Sequence, residues 1–358
     1  MLARRRSLGQ DIGRRRAQGA RPSLMKKLLK ILGWTLLAVV VLALAAGWWM
    51  YSRANAYYQQ RWNPHQATFA IPFPLSQDEV AALREERIAS GAPETDALEG
   101  VDVQIVARDH AVSRGQHLVQ TRLGCGGCHG DDLGGKVLID SPMIGYWAAP
   151  NLTTGDGSLT RDFQAKEWDY AVRHAVRHDL RTSSMPSGDF QNLSDHELSD
   201  VVMYIRSLPP VNRVINPVRI GPIFAIMVSM DRDNSLAAFK IDHQQAHAVE
   251  PPPTAPTIEL GQHIAQVCQS CHGPTLSGGK LQGDPNMPIV ANITPHETGL
   301  KGWTEADFFR ALRDGKRKDG TAIAMAMPWK AYGQMSDTEL RALWAYLQTV
   351  PPREKGNH

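Results

Sequence analysis

The four cysteines of this 358-residue chain fall in two like settings, Cys125-Gly126-Gly127-Cys128-His129 and Cys268-Gln269-Ser270-Cys271-His272. Two thiols three positions apart with an imidazole beside the second are what covalent attachment of a c-type haem requires. The thiols add across the two vinyl groups, and the histidine is placed to bind the iron from one face. A zinc ribbon would need its second cysteine pair roughly 15–20 residues after the first. Here the motifs lie 143 residues apart, each with its own histidine. A thioredoxin-like pair needs no adjacent histidine and follows a strand in an alternating strand and helix pattern, which neither flank shows. Two covalently attached haem c groups are therefore the expected cofactors, held by Cys125, Cys128 and His129 and by Cys268, Cys271 and His272. Electron handling is the expected chemistry.

An iron with histidine on one face takes a second ligand on the other or keeps that position open. Methionine raises the potential, a second histidine lowers it and an open position permits catalysis. Met185-Pro186 and Met327-Pro328 stand 56 and 55 residues after His129 and His272. Met185 and Met327 are accordingly the expected ligands, each followed by a proline that fixes the local backbone. Met325 is the rival in Ala324-Met325-Ala326-Met327-Pro328. Met143, Met203, Met287 and Met335 have no matching position and read as packing. His174, His178, His196, His243, His247 and His296 likewise match nothing in the other half, which argues against bis-histidine ligation. His117 and His263 do match, just upstream of the two motifs, and read as surface or propionate-side residues. A backbone carbonyl at Pro150, or at Ala291 in the second half, could accept the ring N–H of the attachment histidine.

The elements that must position these groups occur twice. Gly115-Gln116-His117 and Gly261-Gln262-His263 each open a short helix running into a motif. Asn151-Leu152-Thr153 recurs as Asn292-Ile293-Thr294, downstream of Gly134-Gly135-Lys136 and Gly278-Gly279-Lys280. Ser194 with Glu197 and Ser336 with Glu339 are capping boxes that start the closing helices. Leu198, Val201, Val202, Ile205 and Leu208 form a helical stripe in the first, and Leu340, Leu343, Trp344, Leu347 and Val350 do so in the second. Tyr204 and Tyr346 match, with Gly115 and Gly261 as expected crossing partners. Three residues, Arg122-Leu123-Gly124, are extra before the first motif. Each half closes on Pro-Pro, so the expected domains are 111–212 and 257–354, joined by a linker, 213–256. Within that linker Ile220–Met230 is apolar but too short to span a membrane.

Residues 1–30 hold ten Lys or Arg against Asp11 alone, whereas the remainder holds 29 basic against 35 acidic residues. The body is mildly acidic, so nucleic acid is not an expected partner. Ile31–Tyr51 is an uncharged run of 21 residues, close to the ~20 that a helix needs to cross a bilayer. Lys26, Lys27 and Lys30 precede it and Trp48, Trp49 and Tyr51 close it, so a single-pass anchor is expected with the chain after it outside the cytoplasm. A cleaved signal peptide with Ala43-Leu44-Ala45 as its site is the competing reading. Residues 1–30 would be a basic cytoplasmic arm, with Met25 as a second plausible start, and 52–110 a spacer with a short helix from Ser76 to about Ala89.

A helix leading into C-x-x-C-H, a long loop, a Met-Pro ligand loop and a capped last helix together resemble class I cytochrome c domains. The stretch from about 111 to 354 resembles the membrane-anchored tandem di-haem cytochromes c of bacteria. It is also similar to the cytochrome c subunits that accept electrons from periplasmic alcohol and aldehyde dehydrogenases, although the three-haem subunits carry one motif more. The resemblance implies an all-α fold of two tandem class I domains after a transmembrane helix, and His129/Met185 and His272/Met327 ligation. It further implies a single-electron carrier at the periplasmic face of the inner membrane, not an enzyme, with an oxidase, a quinol-linked complex or a dehydrogenase as redox partner. The alternatives are a di-haem redox enzyme of the peroxidase or thiosulfate-oxidising kind with one open or labile iron, or the cytochrome subunit of a dehydrogenase.

Overall fold

The computed structural model describes residues 21–280 and 288–356. Most of the basic arm and Met287 thus lie outside the described residues. Helix α1, Arg21–Gln59, is long and apolar enough to cross a membrane. It extends past both ends of the run expected from hydropathy, since neither Lys26–Lys30 nor the residues after Tyr51 contain a helix breaker. Residues up to Met50 form one compact unit and those from Tyr51 onward another.

In that second unit the chain after Tyr51 is more than a spacer. Ala54 and Tyr58, on the last turns of α1, are buried against Ala225, Val228 and Leu236. Helix α2, Gln77–Ala89, starts on the expected reciprocal Ser76/Glu79 box. Helix α3, Val103–Leu118, is capped by Asp102 and runs into a wider turn at Val119–Leu123. That turn accommodates the three extra residues, and Gly124, at φ +58°, ends it in the left-handed region that glycine adopts without penalty. The motif helix α4, Cys125–His129, follows.

Strands β1, Lys136–Ser141, and β2, Gly145–Ala149, form an antiparallel hairpin, and β3, Arg219–Ile220, adds to its edge from the segment between the two halves. Helix α5, Ala165–His174, lies between this hairpin and the closing helix α6, Asp195–Ser207. Ser194 and Glu197 close a reciprocal box at the head of α6, and Leu198, Val201, Val202 and Ile205 bury its stripe. The apolar segment of the linker becomes helix α7, Pro222–Met230, followed by one turn, α8, Arg232–Ser235. Ala225 and Val228 are buried, while Ile223, Ile226, Met227 and Met230 stay exposed.

The second half repeats the plan more compactly. Helix α9, Ile258–His272, carries its motif without interruption. Helix α10, Glu305–Asp314, the short α11, Trp329–Tyr332, and α12, Asp337–Leu347, complete it. In both halves the first helix crosses the last at a glycine. A Cβ on Gly115 would overlap the carbonyl of Asp200 and lie 2.9 Å from the Tyr204 Cβ. One on Gly261 would overlap the carbonyl of Ala342 and lie 2.7 Å from the Tyr346 Cβ. Any side chain there would force the helices apart, which explains why both halves use glycine.

Candidate functional site

Among the described residues, an apolar cleft lies in each half. The first is about 1130 Å³ including its solvent-open space, and Cys125, Cys128, His129 and Met185 line it with Trp147, Leu152, Phe163, Trp168 and Arg177. The second is about 740 Å³, lined among the described residues by Cys268, Cys271, His272 and Met327 with Val290, Ile323, Arg317 and Tyr332.

The histidines are oriented as a metal needs them. Nδ1 of His129 bonds the Pro150 carbonyl at 2.9 Å, and Nδ1 of His272 bonds the Ala291 carbonyl at 2.7 Å. A carbonyl only accepts, so Nδ1 carries the proton and Nε2 keeps its lone pair for a metal. Burial depresses both imidazoles below their ordinary range, with the carbonyl bonds opposing it in part. The neutral ring, the form that binds iron, is thereby favoured. Burial also pushes the thiols of Cys125 and Cys268 up to about 12.

Met185 and Met327, on their Met-Pro loops, also line the clefts, whereas Met325 is 64% exposed and lines neither. Met335 is buried in the second core, as expected of packing, but Met143 is 54% exposed. The first cleft also presents buried donors that no protein group satisfies, Nε1 of Trp147 and Trp168 and Nε of Arg177. Buried donors of this kind call for an acceptor, and a planar macrocycle bearing carboxylates supplies several. The residues present therefore fit a haem in each half.

Comparison with known proteins agrees. Residues 112–209 match the cytochrome c family, and residues 257–347 match the family described as cytochrome C oxidase, cbb3-type, subunit III. The chain carries two cytochrome c domains. Their cofactors are two covalently attached haem c groups. These cytochrome c domains are similar to the fructose dehydrogenase cytochrome subunit of Gluconobacter japonicus, at 37% identity over 29% of this chain and 24% of the relative. They are also similar to the cytochrome c subunit of the quinone alcohol dehydrogenase of Gluconacetobacter polyoxogenes, at 34% identity over 31% and 26%. A diheme cytochrome c-type protein of Cereibacter sphaeroides is 32% identical over 25% of this chain and 34% of its own. The matched segments span about a quarter to a third of the length of these relatives.

The cytochrome c domains meet through pairs that sequence reasoning missed. His117 and His263 are neither free surface residues nor lining residues of either cleft. His117 Nε2 lies 2.7 Å from Glu339, and His263 Nε2 lies 2.9 Å from Glu197. Each histidine thus bonds the capping-box glutamate of the other domain. The ligand loops cross in the same sense. The turn Ser187–Asp189, just after Met185-Pro186, packs on α9, and α11, just after Met327-Pro328, packs on Val119–Leu123. Burial raises the Asp189 carboxyl to about 6, although the Ser270 hydroxyl inside the second motif opposes the shift. A signal for the crossing was present in the matched positions of the histidines, but no local pattern names a partner in the other domain.

Proposed function

We propose that this di-haem cytochrome c is a membrane-anchored carrier of single electrons on the periplasmic side of the bacterial inner membrane, and not itself an enzyme. The observation that carries the reading is the recurrence of one donor set, two cysteines, a histidine and a methionine, around an apolar cleft in each domain. In it Cys125, Cys128, Cys268 and Cys271 attach the haems, and His129 with Met185 and His272 with Met327 ligate the irons, within domains of residues 111–212 and 257–354. Bound haem supplies the one-electron iron couple. The chain's own residues do the rest. The Pro150 and Ala291 carbonyls fix the histidine rings, the Met-Pro loops hold a sulfur opposite, and the apolar walls keep water out, which limits reorganisation when charge changes.

The anchor reading is supported by α1, which is uncharged from Ile31 to Tyr51 and flanked by lysines on one side and aromatics on the other. For the partner, the names of the relatives favour a dehydrogenase as electron source, with a terminal oxidase or quinol-linked complex as the other redox contact.

Carbon monoxide binding by the fully reduced protein tests the carrier reading. Methionine on both irons predicts slow, substoichiometric binding. Rapid binding of one equivalent per protein would favour a redox enzyme with one open iron.

A further inference from the structure

Four residues that match nothing in the other domain converge on one buried point between α5 and the segment joining the domains. They are Asp169 and His174 on α5 and His243 and His247 in His243-Gln244-Gln245-Ala246-His247. Asp169 and His174 are fully buried, and His243 and His247 are each about 9% exposed.

The hydrogen bonds determine where the lone pairs point. Nε2 of His243 lies 2.8 Å from the carbonyl of Ala238, which can only accept, so this nitrogen carries the proton. Nδ1 of neutral His243 is then an acceptor. Nδ1 of His174, 3.1 Å away, must donate to it. Neutral His174 is left with a bare lone pair on Nε2, which faces Nε2 of His247 at 3.3 Å and Oδ2 of Asp169 at 3.6 Å. The latter separation is beyond hydrogen-bonding range, and Oδ2 has no partner although it is buried. Its sister Oδ1 is held by Nε of Arg173 at 2.6 Å. Arg173 is itself tied to Asp195 at 2.8 Å and to the Leu193 carbonyl at 3.0 Å. Two acceptors and an imidazole therefore converge without a donor fixed between them.

We infer that Asp169 Oδ2, His174 Nε2 and His247 Nε2 form a binding site for a divalent first-row metal ion of the zinc class. Donors at ~2.0–2.1 Å from a tetrahedral ion are roughly 3.3–3.4 Å from one another; here His174 Nε2 lies 3.3 Å from His247 Nε2 and 3.6 Å from Asp169 Oδ2, and His247 Nε2 lies 3.8 Å from Asp169 Oδ1, so the third edge must shorten as the ion binds. His243 and Arg173 do not touch the ion. They orient His174 and Asp169, the role that outer partners have at metal-ligating imidazoles and carboxylates. The ion would clip the joining segment to α5, whose other face, Trp168, Ala171 and Val172, walls the first haem cleft. One and two residues beyond His247, the carbonyls of Ala248 and Val249 also accept the backbone N–H groups of Asp195 and His196 at the head of α6. The second domain offers no counterpart, since Phe309 and Asp314 stand where α5 has Asp169 and His174.

The test is metal analysis of the full-length, haem-loaded protein in detergent, after chelation and after dialysis against zinc sulfate, with the thermal midpoint read alongside. One zinc per two haem irons, a zinc-dependent rise in the midpoint and two imidazoles in the zinc-edge absorption spectrum are expected. His247→Ala should abolish stoichiometric uptake, and the orienting variant His243→Ala should weaken it roughly 10–100-fold. His296→Ala, a surface histidine of the second domain, should change nothing. A haem-complete wild type that takes up no zinc would overturn the site. So would undiminished uptake by His247→Ala.

Discussion

Glu197 and Glu339 hold the same position, third in the capping box of the last helix, and each meets a histidine from the other cytochrome c domain. Their surroundings differ. Glu197 also pairs with Arg122 at 2.9 Å, both side chains nearly fully buried. Arg122 belongs to the three residues that α9 lacks, so Glu339 has no arginine and its histidine is 39% exposed. Burial by itself would raise the Glu197 carboxyl, but the Arg122 charge and the bond to His263 outweigh it and hold it at about 2. Glu339 is lowered too, against burial, by His117 and its own cap. An insertion of three residues before one haem motif has thus turned one of two matched contacts into a buried ion pair.

The difference predicts unequal responses. Glu197→Ala strands Arg122 in the interior and should cost about 3–5 kcal/mol of stability, the scale of a broken buried pair. Glu339→Ala should cost only about 1 kcal/mol, the scale of a lost helix cap. Denaturant unfolding of the haem-loaded proteins checks this, and equal losses would remove the arginine's special role. The pH dependence has a definite sign. A carboxyl lower in the folded than in the unfolded state stabilises at high pH, so the Glu197 contribution is complete above its ordinary value of 4.5 and is lost as pH falls toward about 2. Arg122→Leu should shift that loss toward higher pH.

Next in size are the two crossed pairs. Double-mutant cycles for His263 with Glu197 and His117 with Glu339 should both give coupling within the ~0.5–3 kcal/mol range of contacting residues, larger for the more buried His263 pair. No coupling in either would mean that the domains do not meet through these side chains.

The smallest effect concerns Asp189, which couples the first ligand loop to the second motif. Its ionisation near pH 6 places a negative charge beside the second cleft and favours the oxidised iron. The potential of the second haem should therefore fall as pH rises through about 6, by tens of mV, the order expected for a charge interacting through an effective dielectric of ~20. Asp189→Asn should flatten the profile.

Much of this was legible in the sequence because it is local or repeated. The attachment pentads, the capping boxes and the crossing glycines each follow from spacing or from agreement between the halves, as does the preference for Met327, which lines the second cleft, over Met325, which does not. The hairpin 136–149 was not anticipated, since its short runs are half exposed and give no clear alternation. The His117 and His263 partners lie 222 and 66 residues away, in positions that only the packing of one domain on the other creates. His174, His243 and His247 escaped for the opposite reason: they match nothing in the other half, and agreement between the halves discards whatever one half has alone.

We propose that the two domains hold matched but unequal methionine-ligated haems. Redox titration of Met185→Ala, Met327→Ala and Met325→Ala beside the wild type tests it most directly. Each of the first two should lower one of the two potentials, by on the order of 0.1 V or more within the ~0.8 V range that axial ligands span, and leave the other nearly unchanged. Met325→Ala should match the wild type. If Met325→Ala lowers a potential while Met327→Ala does not, or if neither Met185→Ala nor Met327→Ala moves one, the ligand assignment is wrong.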